Sequence, residues 1–162
     1  MLEIDDALSQ FYFGIKSPLT RDRYEKRLDL FLRHIGLNSP SFDGRANEFA
    51  DKAKSDNSWG TNNIIRYLWH QKERAESGEI SFSTLPNYYK PIKLFCEQND
   101  IQLNWKKITR GIPKGRAYAA DRAPTSEEIR SLLNYPDRRI RAAVLVMASS
   151  GIRLGAWDYL KW

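Results

Sequence analysis

Seven consecutive apolar residues, Ala142 to Ala148, run into Ser149-Ser150-Gly151 near the end of the chain. A helix with no polar face cannot turn any side to water, so this run predicts a central core helix around which a domain must be built. Gly151 supplies the left-handed stop that a helix C-terminus favours. Arg153 follows two residues later and is expected to project from a turn anchored in the middle of that domain. A second apolar pattern then begins and carries the chain to Trp162.

The remainder of the chain shows helical periodicity and no convincing strand alternation. Ile4, Leu8, Phe11 and Tyr12 share a helical spacing that stops at Gly14. Ser17-Pro18 breaks the chain, and Thr20 is expected to cap the next helix. There, Tyr24, Leu28, Phe31, Leu32 and Ile35 form one face of a roughly 3.6-residue period, closed by Gly36. Arg23, Lys26, Arg27 and Arg33 lie mostly off that face and read as a solvated helix surface. Asp43 is expected to cap a helix carrying Phe49 and Ala53, and Asp56-Asn57-Ser58 breaks the chain again. Ile64, Ile65, Leu68 and Trp69 mark the next helix, closed by Gly78. One starting at Ser83 or Thr84 follows, through Tyr88, Ile92, Phe95 and Cys96; Pro86 fits its first turn and Pro91 should bend it or delay its start. Cys96 falls on the apolar face as an inert core thiol. Thr125-Ser126-Glu127-Glu128 is a capping box, and Asp137 caps the apolar helix described above. The fold class is therefore all-α, a helical bundle followed by a connector and a shorter helical region.

Charge is distributed unevenly. The chain of 162 residues carries a formal net charge of +6. Between Ile101 and Ala123 lie Lys106, Lys107, Arg110, Lys114, Arg116 and Arg122 against the single acid Asp121, a net +5 in one connector. Gly111-Ile112-Pro113-Lys114-Gly115-Arg116 cannot be a regular helix and reads as extended. Such a stretch suits a phosphate backbone, and Lys106, Lys107, Arg110, Lys114 and Arg116 are the candidate DNA contacts. The single cysteine excludes an internal disulfide framework and suits a reducing cytoplasm. No run is long enough for a membrane span. One cysteine and two isolated histidines, His34 and His70, give no zinc spacing, and no glycine loop of a nucleotide-binding kind is present, so neither metal nor cofactor is expected. His70 reads as a surface or packing residue, Tyr159 as a packing residue, and the tryptophans and tyrosines mostly as core.

The terminal stretch resembles the first active-site box of the tyrosine recombinases, the phage-integrase family. The matching residues are Ser150-Gly151-Ile152-Arg153-Leu154-Gly155, with Leu160-Lys161-Trp162 closing the box. Ser17-Pro18-Leu19-Thr20 through Tyr24, Leu28 and Phe31 is similar to the opening of the family's SAM-like core-binding domain. So is Tyr89-Lys90-Pro91-Ile92-Lys93-Leu94-Phe95, followed by Ile101-Gln102-Leu103-Asn104-Trp105. The resemblance implies a core-binding domain over 1–110, a basic linker over 111–123 and the first helices of a catalytic domain over 124–162. It implies a clamp on double-stranded DNA in the cytoplasm, assembled with other recombinase protomers.

In that family a tyrosine hydroxyl attacks a DNA phosphodiester, leaving a 3′-phosphotyrosyl link and a free 5′-hydroxyl. Guanidinium groups neutralise the phosphoryl oxygens, because they stay protonated and bond oxygens in pairs. Arg153 matches the first of two such arginines and is the one catalytic residue the resemblance places here. One position departs: the acid expected three residues after the arginine is Ala156. The family's hairpin lysine, His-x-x-Arg helix and nucleophilic tyrosine have no counterpart in these residues, which are expected to be inactive alone. Two alternatives stand beside this reading: a non-catalytic DNA-binding protein of integrase-like fold, and a helical protein-interaction module.

Overall fold

The computed structural model describes residues 6–113, 115 and 122–159. All regular structure among them is helical, in two compact units spanning 1–117 and 118–162. None of the described helices is long and apolar enough to cross a membrane.

The first unit is a bundle of α1 (Ala7–Phe13), α2 (Pro18–His34), α3 (Phe42–Ser55), α4 (Asn57–Glu76), α5 (Pro86–Gln98) and the short α6 (Trp105–Thr109). Helix α2 packs on α3 and α5, α1 on α3 and α5, and α4 on α3, α5 and α6. The stripe expected on α2 is its inner face: Leu28, Phe31 and Leu32 are fully buried, with Tyr24 and Ile35 packed at the margin. A chain of aromatic rings joins five helices. Phe11 meets Phe95 (centroids 5.8 Å apart), Phe95 meets Phe49 (6.0 Å), and Phe49 meets Phe31 edge-on (5.2 Å), which in turn meets Tyr67 (5.2 Å). These are favourable tilted and T-shaped geometries. Asn99 ties the two ends of the unit together, its Nδ2 donating to the carbonyl of Ala7 at 3.0 Å and to that of Phe95 at 2.9 Å. Burial pushes the Cys96 thiol well above the ordinary thiol range.

Helix starts differ from expectation in three places, the first being α5, which begins at Pro86 after a 3-10 turn over Phe82–Thr84 rather than at Ser83 or Thr84. Ser17 rather than Thr20 is the N-cap of α2, because Pro18 takes the first helical position, where no N–H is needed and its fixed φ already suits the helix. Ser41 rather than Asp43 caps α3, its hydroxyl accepting from the N–H of Gly44 at 3.0 Å. Pro91 lies buried inside α5, so the helix start is not delayed past it. Arg45 is buried although it is charged. Its Nη1 donates to the carbonyls of Ser39 (2.8 Å) and Pro40 (2.9 Å), and its Nη2 pairs with Asp29 of α2. Arg33 pairs with the same carboxylate at 2.7 Å.

The second unit contains α7 (Ser126–Leu133), α8 (Arg138–Ser150) and a 3-10 turn (Leu154–Tyr159). Thr125 and Glu128 form the expected capping box, and Asp137 caps α8 by accepting from the N–H of Arg139. The expectation of a buried central helix fails. No residue of α8 is buried, and Leu145 is 53% exposed. Among the described residues of this unit α7 is the one helix packed along α8, and a single partner helix cannot enclose a run that is apolar all round. Leu132, Tyr135, Pro136, Ile140 and Val144 instead line an open apolar hollow of about 520 Å³. Tyr159 is 83% exposed on the 3-10 turn and does not pack.

Candidate nucleic-acid interface

The cationic segment begins on α6. Asn104 caps this helix, its side chain accepting from the N–H of Lys107 at 3.0 Å, and Thr109 Oγ1 bonds back to the Trp105 carbonyl at 2.7 Å. Ile108 is 4% exposed and anchors the turn in the core. With Ile108 inward and Trp105 packed at the margin of the core, Lys106, Lys107 and Arg110 are turned to solvent. Among the described residues none of the three makes an ion pair. The chain beyond α6 stays on the bundle for a few residues: the N–H of Ile112 bonds to the Thr109 carbonyl at 3.1 Å, and its side chain packs against the core. Lys114, Arg116 and Asp121 lie outside the described residues.

Not every cation of the connector is available. Arg122 pairs with both oxygens of Glu128, and that hydrogen bond, followed by the one from the Thr125 N–H, holds the Glu128 carboxyl down at about 2. Arg122 thus ties the start of α7 to the segment before it, which the run of charges alone could not tell.

In the second unit Gly151 is left-handed (φ 66°) and donates to the Met147 carbonyl at 2.9 Å, ending α8 as expected. Only glycine adopts that backbone without a steric cost. Arg153 follows, with its carbonyl engaged by the N–H of Ala156 at 2.9 Å. Its guanidinium is exposed and makes no ion pair among the described residues, so the expectation of an arginine rooted in a domain centre does not hold. Leu160, Lys161 and Trp162 lie outside the described residues.

Sequence reasoning missed a cluster on the bundle. His34, at the end of α2, stacks on His70 of α4, with ring centroids 5.0 Å apart and planes inclined by 24°. Tyr67 presents an edge contact to His34 at 5.1 Å. Together with Asn62, Ile65, Arg66, Trp69 and Glu73, the pair lines an open hollow of about 470 Å³. Trp69, expected in the core, is 61% exposed, and its Nε1 donates to Glu73 at 2.9 Å. The two histidines are 36 positions apart and belong to helices without a shared motif, so no local pattern announces them. Partial burial, then His70, then Arg66, lowers the His34 pKa below the ordinary histidine value.

Among the described residues no group of three or more His, Cys, Asp or Glu side chains could hold a metal ion. No known protein family, no curated protein and no solved structure matches the chain.

Proposed function

We propose that this chain is the DNA-binding portion of a site-specific tyrosine recombinase or integrase. In full length such a protein cleaves and rejoins DNA through a 3′-phosphotyrosyl intermediate. The bundle has the role of a SAM-like core-binding domain acting on double-stranded DNA in the cytoplasm, beside other protomers. Lys106, Lys107 and Arg110 contact phosphates, Lys114 and Arg116 extend that contact along the connector, and Arg153 is the first of the arginines that neutralise the phosphoryl group. The observation that carries the reading is the placement of three exposed cations, without an ion-pair partner among the described residues, on a turn anchored by Ile108, where the bundle passes into the connector. Cations without protein partners lose no ion pair on meeting a phosphate, and each contact releases counterions from the duplex.

The test is fluorescence anisotropy of a labelled duplex over a salt series, with Lys106, Lys107 and Arg110 changed to Gln in parallel. The variant's slope of log affinity against log salt should be shallower by about 0.9 for each phosphate contact removed. Absence of binding at low salt by the folded protein would sink the reading and leave a protein-interaction module. A second reading, a DNA-binding protein of the same fold without catalysis, is favoured by one observation: Ala156 stands where the family carries an acid.

A further inference from the structure

The hollow beside the stacked histidines has three properties that packing alone does not require. Trp69 leaves most of a large apolar ring in water, held in place by its hydrogen bond to Glu73. Arg66 is exposed and has no ion-pair partner among the described residues, although eight of the nine ion pairs in them lie between surface groups. The two imidazoles are brought face to face beside that guanidinium, and partial burial, then His70, then Arg66, discourages His34 from taking a proton while the hollow is empty. Trp69 also lines a second, smaller hollow formed with Ile65, Leu68, Ile108, Gly111 and Ile112. The histidine hollow therefore adjoins, across a single indole, the turn that carries Lys107 and Arg110.

We propose that this hollow is a second DNA-contact site of the bundle, taking one backbone phosphate between Arg66 and the His34–His70 pair while Trp69 packs on the adjoining sugar or base. The inference rests on the DNA-binding reading above. An exposed indole beside cations is the pairing that single nucleotides and splayed strands use for stacking and phosphate contact. Asn62, one turn before Arg66 on the same face, adds an amide that can donate to phosphate or to a base edge.

The charged groups around the pair set the sign of its response to pH. From α4 it faces Arg66 and Glu73, and Tyr67 presents its ring edge. From α2 the neighbouring Arg33 is tied to Asp29, and Glu79, which lies after α4, is tied to Arg74. Glu73, the one acid lining the hollow, is engaged by the Trp69 indole. In the free protein these surroundings favour a neutral His34. A phosphate seated on the pair favours the imidazolium, so the complex takes a proton from water, and DNA binding strengthens as the pH falls.

The experiment uses the whole chain and the same labelled duplex at fixed ionic strength, between about pH 8 and pH 6. It compares the unchanged protein with His70→Gln and Arg66→Gln, both at exposed positions, with folding checked by circular dichroism. A shift of one pKa unit on binding corresponds to about a tenfold rise in affinity across this range. The unchanged protein should show that rise. His70→Gln should flatten it while retaining binding at high pH, and Arg66→Gln should reduce the salt slope by about 0.9. A profile that His70→Gln leaves intact, or a salt slope that Arg66→Gln leaves intact, overturns the proposal. If the Lys106, Lys107 and Arg110 variant still loses its own salt slope, only this inference fails. If no protein binds DNA at any pH or salt, the DNA-binding reading falls with it.

Discussion

Replacing Arg45 with Met removes a buried guanidinium while keeping an apolar stem of similar length. The consequence can be worked from its partners. Two backbone carbonyls, of Ser39 and Pro40, lose their donor, and Asp29 loses the closer of its two cations. Removing one member of a buried pair typically costs about 3–5 kcal/mol. The Asp29 side chain is 22% exposed and keeps Arg33, so water and a second cation soften the loss, and about 3 kcal/mol is expected here. With a urea slope of about 2 kcal/mol per molar, the denaturation midpoint should fall by roughly 1.5 M. Asp29→Asn, which still presents an oxygen to the guanidinium, should cost less. The pH dependence follows from the same geometry. Burial alone would raise the Asp29 carboxyl, but hydrogen bonds from Arg45 and then Arg33 outweigh it and hold it below its ordinary value of 3.8. A depressed folded pKa means stability that is present above the unfolded value and lost as the pH falls through the folded one. The gap between the unchanged protein and Arg45→Met should therefore be constant near neutrality and narrow once the pH drops below about 3.8. A loss under about 0.5 kcal/mol, which is typical of surface substitutions, or a gap that never narrows in acid, would refute this account of the clamp.

Two further outcomes are expected. Cys96 is fully buried with its pKa raised, so a thiol reagent such as dithionitrobenzoate should fail to label the native protein and label it at once in denaturant; rapid native labelling would contradict that. Thr125→Ala removes the cap of α7, worth about 1 kcal/mol, and should speed amide exchange in Ser126–Leu133 while leaving α2 and α5 unchanged.

What could be read in advance was whatever is written locally. The α2 stripe from Tyr24 to Ile35, the Thr125–Glu128 box and the left-handed Gly151 each depend on residues within a few positions of one another, and each is found as expected. Features set by distant partners were not legible. Arg45 meets Asp29 from 16 positions away, and His34 meets His70 across two helices. Burial of α8 was inferred from its unbroken apolar run, yet burial is a property of what surrounds a helix, and among the described residues of its unit α7 alone packs along it. The cations of the interface were legible as charges, but their availability was not: Arg122 is taken by Glu128, whereas Lys106, Lys107 and Arg110 have no ion-pair partner among the described residues.

The bond from Asn99 to Ala7, with Phe11 packed on Phe95, also bears on how the protein is made. Helix α1 meets its last partner only when α5 has been synthesised, some 90 residues after α1 itself. At ribosomal rates of about 5–20 residues per second, the α5-facing side of α1 waits roughly 5–20 s for cover. During that interval Phe11 lacks its Phe95 partner on a nascent chain, and the first unit can close only after its fifth helix and Asn99 have emerged.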